Sequence, residues 1–115
     1  MKYAIQVNSA FSCSSLPHIA WRFIHTAITQ GNEVIRVFFY HDGIYNGLGY
    51  SRPAHAPDWS MLAERYGVDL VLCVSACDHR GLNPTGLLLP GFRPGGLGLW
   101  MDACFKADRL LVFQD

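Results

Sequence analysis

The stretch Asp69-Leu70-Val71-Leu72-Cys73-Val74-Ser75-Ala76-Cys77-Asp78-His79-Arg80-Gly81 constrains this chain more than any other. It begins as an apolar run of strand length and changes abruptly to small and polar residues that end on Gly. That pattern predicts a buried strand delivering Cys73 at or near its carboxyl end, followed by a short helical turn that Gly81 terminates. A second run, Val34-Ile35-Arg36-Val37-Phe38-Phe39-Tyr40, is apolar apart from Arg36. A strand of that kind needs cover on both faces, as strands of parallel sheets have.

The segments between these runs supply the cover. Tyr3, Ile5 and Val7 alternate with polar or small neighbours, which suits a first strand. A polar loop runs from Ser9 to Pro17. Ile19, Ala20, Phe23, Ile24, Ala27 and Ile28 then form one helical stripe that stops at Gln30-Gly31-Asn32. A strand, helix, strand unit implies a parallel pair with a right-handed crossover.

Beyond Tyr40, His41-Asp42-Gly43-Ile44-Tyr45-Asn46-Gly47 carries turn formers, and the loop continues through Ser51-Arg52-Pro53-Ala54-His55-Ala56. Pro57 suits the first turn of a second helix with Trp59, Leu62, Ala63 and Tyr66 buried and Gly67 as its stop. From Leu82 to Gly96 the chain is rich in Gly and Pro, with Leu87-Leu88-Leu89 and Phe92-Arg93 as candidates for an edge strand. Leu97, Trp100, Met101 and Cys104 predict a third helical stripe, and Leu110-Leu111-Val112-Phe113 a last strand. The expectation is one α/β domain over residues 1–115, three-layered, with a mainly parallel sheet of about five strands and helices on both faces.

Charge and length narrow the function. Lys+Arg and Asp+Glu both number 9, so the formal net charge is zero and no basic footprint for nucleic acid or an anionic membrane is present. The first residues are too interrupted by polar groups for a signal peptide, and no run has transmembrane length. A cytoplasmic location is expected, in which the 4 cysteines stay reduced and serve chemistry, metal or packing rather than a disulfide framework.

Among these cysteines Cys73 stands out, because open α/β sheets place their chemistry at the carboxyl ends of strands. Amide groups of the following turn, with His79 and Arg80 nearby in sequence, suit a nucleophilic sulfur there. The same position suits a small apolar core residue. Cys73, Cys77 and His79 lack the paired Cys-x-x-Cys spacing of a zinc site, and Cys13 and Cys104 lie on separate elements. The loop Ser9-Ala10-Phe11-Ser12-Cys13-Ser14-Ser15 lacks a Gly-rich phosphate cradle, so no flavin or nucleotide is expected. No cofactor and no metal are assigned.

Phe38-Phe39-Tyr40-His41-Asp42-Gly43-Ile44-Tyr45-Asn46, Leu62-Ala63-Glu64-Arg65-Tyr66-Gly67-Val68-Asp69, Cys73-Val74-Ser75-Ala76, Arg80-Gly81, Gly95-Gly96-Leu97-Gly98 and Ala107-Asp108-Arg109 together resemble the DsrE/TusD family of sulfur-relay proteins. The similarity runs nearly end to end. It implies a flavodoxin-like, DsrE-like fold and a sulfurtransferase of the persulfide-carrier type. Cys73 would accept sulfur from a small carrier protein and pass it to a downstream acceptor, in tRNA 2-thiouridine synthesis or in dissimilatory sulfur oxidation. It also implies a hetero-hexamer with two related smaller subunits, self-association being the alternative. A non-catalytic subunit of such an assembly is the rival reading.

Auxiliary positions follow from the resemblance. His79 is placed to assist ionisation or to be only a polar surface residue, and Arg80 to pair with the sulfur or to solvate the loop. Tyr40, His41 and Asp42 end the neighbouring strand and line the same crevice, or serve a subunit contact. Two departures stand out. Family members carry an acidic stretch after the Arg-Gly, where this chain has the apolar Leu82-Asn83-Pro84-Thr85-Gly86-Leu87-Leu88-Leu89. Cys77 replaces a small apolar residue and is either a resolving thiol or an Ala-sized core residue.

Only 16% of the residues are charged, against 50% hydrophobic, a charge content below the roughly one-quarter typical of soluble domains, so apolar patches on the exterior are expected. The candidates are Leu87, Leu88, Leu89 and Phe92, and Phe38-Phe39-Tyr40 with Tyr45 and Tyr50.

Overall fold

A computed structural model describes residues 1–49 and 55–115. The alternation at Tyr3, Ile5 and Val7 becomes β1 (Lys2–Val7), which pairs in parallel with β2 (Glu33–Phe39) on one side and β5 (Arg109–Phe113) on the other. The two apolar runs become β2 and β3 (Leu70–Cys73), and β4 (Phe92–Gly95) completes the sheet in the order β4-β3-β2-β1-β5. Every pairing is parallel. Phe92-Arg93 is therefore the edge strand, whereas Leu88 makes only an isolated antiparallel bridge with Leu48.

The helices are α1 (Leu16–Thr29), α2 (Trp59–Tyr66), α3 (Val74–Asp78) and α4 (Leu97–Lys106), with a 3-10 turn over His41–Asn46. The predicted stops at Gly31, Gly67 and Gly81 all have positive φ, at 89°, 69° and 67°, which glycine adopts without a Cβ clash. Pro57 precedes α2 rather than lying in its first turn, because Asp58 caps the helix by accepting a hydrogen bond from the Met61 amide at 3.1 Å. Tyr50, Ser51, Arg52, Pro53 and Ala54 lie outside the described residues.

The chain winds from β1 through β2 and β3 to β4, then returns across the sheet to β5. A right-handed crossover in that reverse direction places α4 on the face opposite α1. The core lies along β1, β2 and β3, where Ile5, Val37, Phe38, Phe39, Leu70 and Leu72 are fully buried. Phe39 meets Trp59 edge-on at 4.9 Å and Phe92 at 5.0 Å. Each such side chain contributes about 1.5–3 kcal/mol.

Arg36, the one charge in its run, is largely covered on the α4 side and engaged there through its Nε and one terminal nitrogen. It donates to Asp69 at 2.6 Å, to the Leu99 carbonyl at 2.8 Å and to Asp102 at 3.0 Å. Arg93 grips the same Asp69 through two hydrogen bonds of 2.8 and 2.9 Å. A guanidinium taken out of water is tolerable only with its donors matched in this way. Arg93 and then Arg36 hold the Asp69 carboxyl below its ordinary value, against the opposing effect of burial.

Two surface expectations are corrected. Phe38 and Phe39 are fully buried, Phe92 nearly so, and Leu87, Leu88, Leu89, Tyr40 and Tyr45 are half-buried against the core. Helix α4 turns inward through Leu99, Trp100 and Ala103 instead of the predicted Leu97, Trp100, Met101 and Cys104 stripe, because Trp100 packs on Phe38 at 6.2 Å and Ala103 permits close approach. Leu97, Met101 and Phe105 thus form an outward stripe, with Phe105 85% exposed.

Candidate active site

Cys73 is the last residue of β3, lies opposite Gly95 of β4, and is the N-cap of α3. Glycine leaves room there, since a Cβ at Gly95 would push aside the Leu99 and Val71 side chains. The strand end thus carries the sulfur as predicted, but the thiol is fully buried in the core cluster. Its side chain makes no capping hydrogen bond to α3, because the sulfur packs inward among apolar neighbours rather than over the amides. Cys77, one turn further, is also fully buried. Burial first, then the proximity of Cys73 and Asp78, push the Cys77 thiol above its ordinary value.

Of the remaining predicted residues, the structure brings Arg80 to Asp42 and Tyr40 to His41, and leaves His79 outside both pairs. Arg80 donates to the Asp42 carboxylate at 2.8 and 3.0 Å and to the Ala76 carbonyl at 3.0 Å. It thereby ties the end of α3 to the 3-10 turn after β2. Arg80 is committed to Asp42, and His79, the C-cap of α3, is exposed. Tyr40 stacks obliquely on His41 at 4.0 Å and against Phe38 at 6.1 Å. Phe39 pairs with Leu72, so this cover of Tyr40, Asp42 and Arg80 lies at the carboxyl end of β3.

That cover is pinned from below. Gly43 approaches the Val7 carbonyl so closely that any Cβ would fall on its oxygen, and the Gly43 amide closes the turn onto Tyr40 at 2.8 Å. The turn places His41 at φ 49°, an uncommon conformation outside glycine. Asn46, fully buried, donates to the Ser9 and Gly43 carbonyls at 2.9 and 3.0 Å and accepts from the Trp59 indole at 3.4 Å.

The residue pattern did not disclose a second crevice at the same edge. Residues after β1, β2 and β5 surround a cavity of about 320 Å³ lined by Asn8, Ser9, Cys13, His41, Asp42 and Asp115 among others. Cys13 is exposed there. The polar residues Asn8 and Ser9 directly after an apolar strand were the available signal. Among the described residues no three His, Cys, Asp or Glu side chains gather as a metal-ligand set, and no helix is long and apolar enough to cross a membrane.

The description of the DsrE/DsrF-like family matches residues 1–113. A protein of Allochromatium vinosum named for sulfurtransferase DsrE is 36% identical over 130 residues, covering all of both chains. Sulfurtransferase TusD of Salmonella newport is 33% identical over 128 residues, covering 98% of this chain and all of the relative. The crystal structure of the E. coli ychN protein superposes with a TM-score of 0.80 at 24% identity, covering 98% of this chain and 99% of the other, a likeness of fold.

Proposed function

The chain belongs to the DsrE/DsrF-like family, and from that premise we propose that it is a sulfurtransferase carrying sulfur as a persulfide on Cys73. The observation that carries the reading is the position of Cys73, at the carboxyl end of β3 where the strand gives way to α3. Relatives aligned over essentially the whole chain are named as sulfurtransferases.

The chemistry exchanges one S–S bond for another. The Cys73 thiolate attacks the outer sulfur of a carrier protein's persulfide. The carrier's S–S bond breaks, and the carrier leaves as a thiolate that takes up a proton. An acceptor thiolate later attacks the outer sulfur of Cys73 in the same way. Electrons balance without an added oxidant or reductant. Burial shields a loaded sulfur from stray thiols, and the Arg80–Asp42 cover has to open at loading and unloading. Cys77, held as a thiol in the core, acts as a packing residue rather than as a resolving thiol.

The partners in this reading are a small carrier donor, an acceptor protein and further DsrE-like chains. Leu111 and Phe113 of β5 turn toward α1, where Phe113 lies 6.4 Å from Phe23. Alternation therefore turns Leu110 and Val112, each 52% exposed, to the α4 side. These residues of the edge strand β5 and the outward stripe of α4 leave apolar side chains on the surface, which a second copy of this chain covers when no sister subunit is present. Light scattering should give a multiple of 12.8 kDa, and Phe105→Asp should return the monomer.

Full burial of Cys73 is also what a purely structural cysteine displays, so a non-catalytic subunit is the second reading. Loading decides between them. Cys73→Ser should fold normally and fail to take sulfur from a persulfidated carrier, whereas equal loading of this variant overturns the relay reading.

A further inference from the structure

Tyr40 has no part in the sulfur exchange itself, yet the sheet sets it beside Cys73. In the register of β2 against β3, Phe38 lies opposite Val71 and Phe39 opposite Leu72, so the next pair along is Tyr40 and Cys73. Strand geometry persists that far. Tyr40 is extended at φ −125° and ψ 164°, and its amide donates to the Val7 carbonyl at 3.0 Å. On its other side Cys73 pairs with Gly95 of β4.

Alternation decides which face this row shows. A Cβ at Gly95 would point at Leu99 of α4 and at Val71, and the Phe38 ring lies 6.2 Å from Trp100 of α4. Cys73 stands two residues beyond Val71, and Tyr40 two beyond Phe38, so both project on the α4 side. One flank of Cys73 is therefore a glycine with Leu99 folded over it, and the other is Tyr40. Cys73 is fully buried and Tyr40 half-buried.

Of these neighbours Tyr40 is the most lightly held. Leu99 belongs to a helix, and its amide closes the first turn onto the Gly96 carbonyl at 3.0 Å. Charged hydrogen bonds join Arg80 to Asp42. Tyr40 is packed through its ring, 4.0 Å from His41 and 6.1 Å from Phe38, and among the described residues no hydrogen bond engages its hydroxyl. His41 is itself exposed. We propose that Tyr40 is the door to Cys73: its side chain turns off His41, uncovers the sulfur on the α4 side for the carrier's persulfide, and turns back over the loaded cysteine. Tyr40 is thus a positioning residue, and it is the part of the cover that moves. The inference rests on the sulfurtransferase reading for its cargo, whereas the first arm of its test uses no sulfur.

Cys77, fully buried one turn further along α3, is the internal control. Full-length variants are alkylated with iodoacetamide in native buffer and both cysteine peptides are quantified. Tyr40→Ala should raise Cys73 labelling about tenfold, the joint worth of its ring contacts, and leave Cys77 labelling within a factor of about two. Tyr40→Phe keeps the ring and should label as wild type does. His41→Gly, which suits the φ of 49° and removes one ring contact, should fall between them. In the second arm Cys73 is loaded from inorganic polysulfide, whose chain loses one sulfur as its S–S bond breaks. Glutathione should then strip that sulfur about tenfold faster from Tyr40→Ala than from wild type or Tyr40→Phe. An equal rise at Cys73 and Cys77 marks a loosened core and overturns the proposal, as does wild-type labelling of Cys73 in Tyr40→Ala. A wild-type Cys73 that takes no sulfur from polysulfide or carrier, while labelling follows the expected order, overturns the relay reading and leaves the door standing.

Discussion

Cys73 ends β3 and Cys13 lies in the loop after β1, at the same carboxyl side of the sheet, yet Cys73 is fully buried and Cys13 is exposed beside a cavity. The difference comes from what lies above each strand end. Over β3 the chain turns at once into α3, and Arg80 reaches across to Asp42 to close the edge. Over β1 the chain runs into a polar loop, and β5 arrives from the far side of the sheet, so the winding leaves a crevice that no helix fills. A covered thiol is suited to holding sulfur between partners.

The largest expected effect is on thiol accessibility. Native alkylation should modify Cys13 at least about a hundredfold faster than Cys73, because Cys73 reacts only through local opening, which even at roughly 2.7 kcal/mol imposes that factor. Peptide mapping after timed quenching reads both rates. Comparable rates break the contrast.

Next in size is the buried amide beneath both regions. Asn46→Ala strands the Trp59 indole and the Ser9 and Gly43 carbonyls, at about 2–3 kcal/mol. Denaturant unfolding should show that loss. Native labelling of Cys73 should also rise in this variant, since Gly43 belongs to the turn that carries Asp42.

A smaller effect concerns the amino end of β3, remote from both thiols. Asp69→Asn should cost roughly 1–2 kcal/mol at neutral pH, the usual worth of charge-assisted hydrogen bonds partly exposed to water. The folded-state carboxyl is held below 3.8, its ordinary value, so its contribution is fully present above 3.8 and is lost as pH falls below it. The stability gap between wild type and variant should therefore close in acid. A gap that widens there contradicts the Arg36–Asp69–Arg93 network.

The smallest change sharpens the contrast most. The Arg80–Asp42 pair is partly exposed and worth about 0.2–1 kcal/mol, so Asp42→Asn should raise Cys73 labelling by no more than about fivefold while leaving Cys13 labelling within a factor of about two.

What the residues disclosed and what they hid follow from the range of the interactions involved. The strand ending on Cys73, the stops at Gly31, Gly67 and Gly81, and the parallel sheet depend on local periodicity and backbone freedom, which neighbouring residues specify. The inward face of α4 is not legible in the sequence because Leu99, Trp100 and Ala103 and the outward Leu97, Met101 and Phe105 are both apolar at helical spacing, and only Phe38 across the core decides between them. The cover over Cys73 was hidden because Arg80 and Asp42 are 38 residues apart. The Cys13 cavity was hidden because it is assembled from the tails of three strands that are neighbours only once the sheet has formed.

Whether Cys73 is the sulfur-bearing residue is read most directly from where sulfur resides after contact with a persulfidated carrier protein. Wild-type protein mixed with such a carrier and resolved peptide by peptide in a mass spectrometer should carry one added sulfur on the Cys73 peptide, removed again by an acceptor thiol and absent from Cys73→Ser. Sulfur confined to Cys13, Cys77 or Cys104, with Cys73 unmodified in folded protein, would contradict that role.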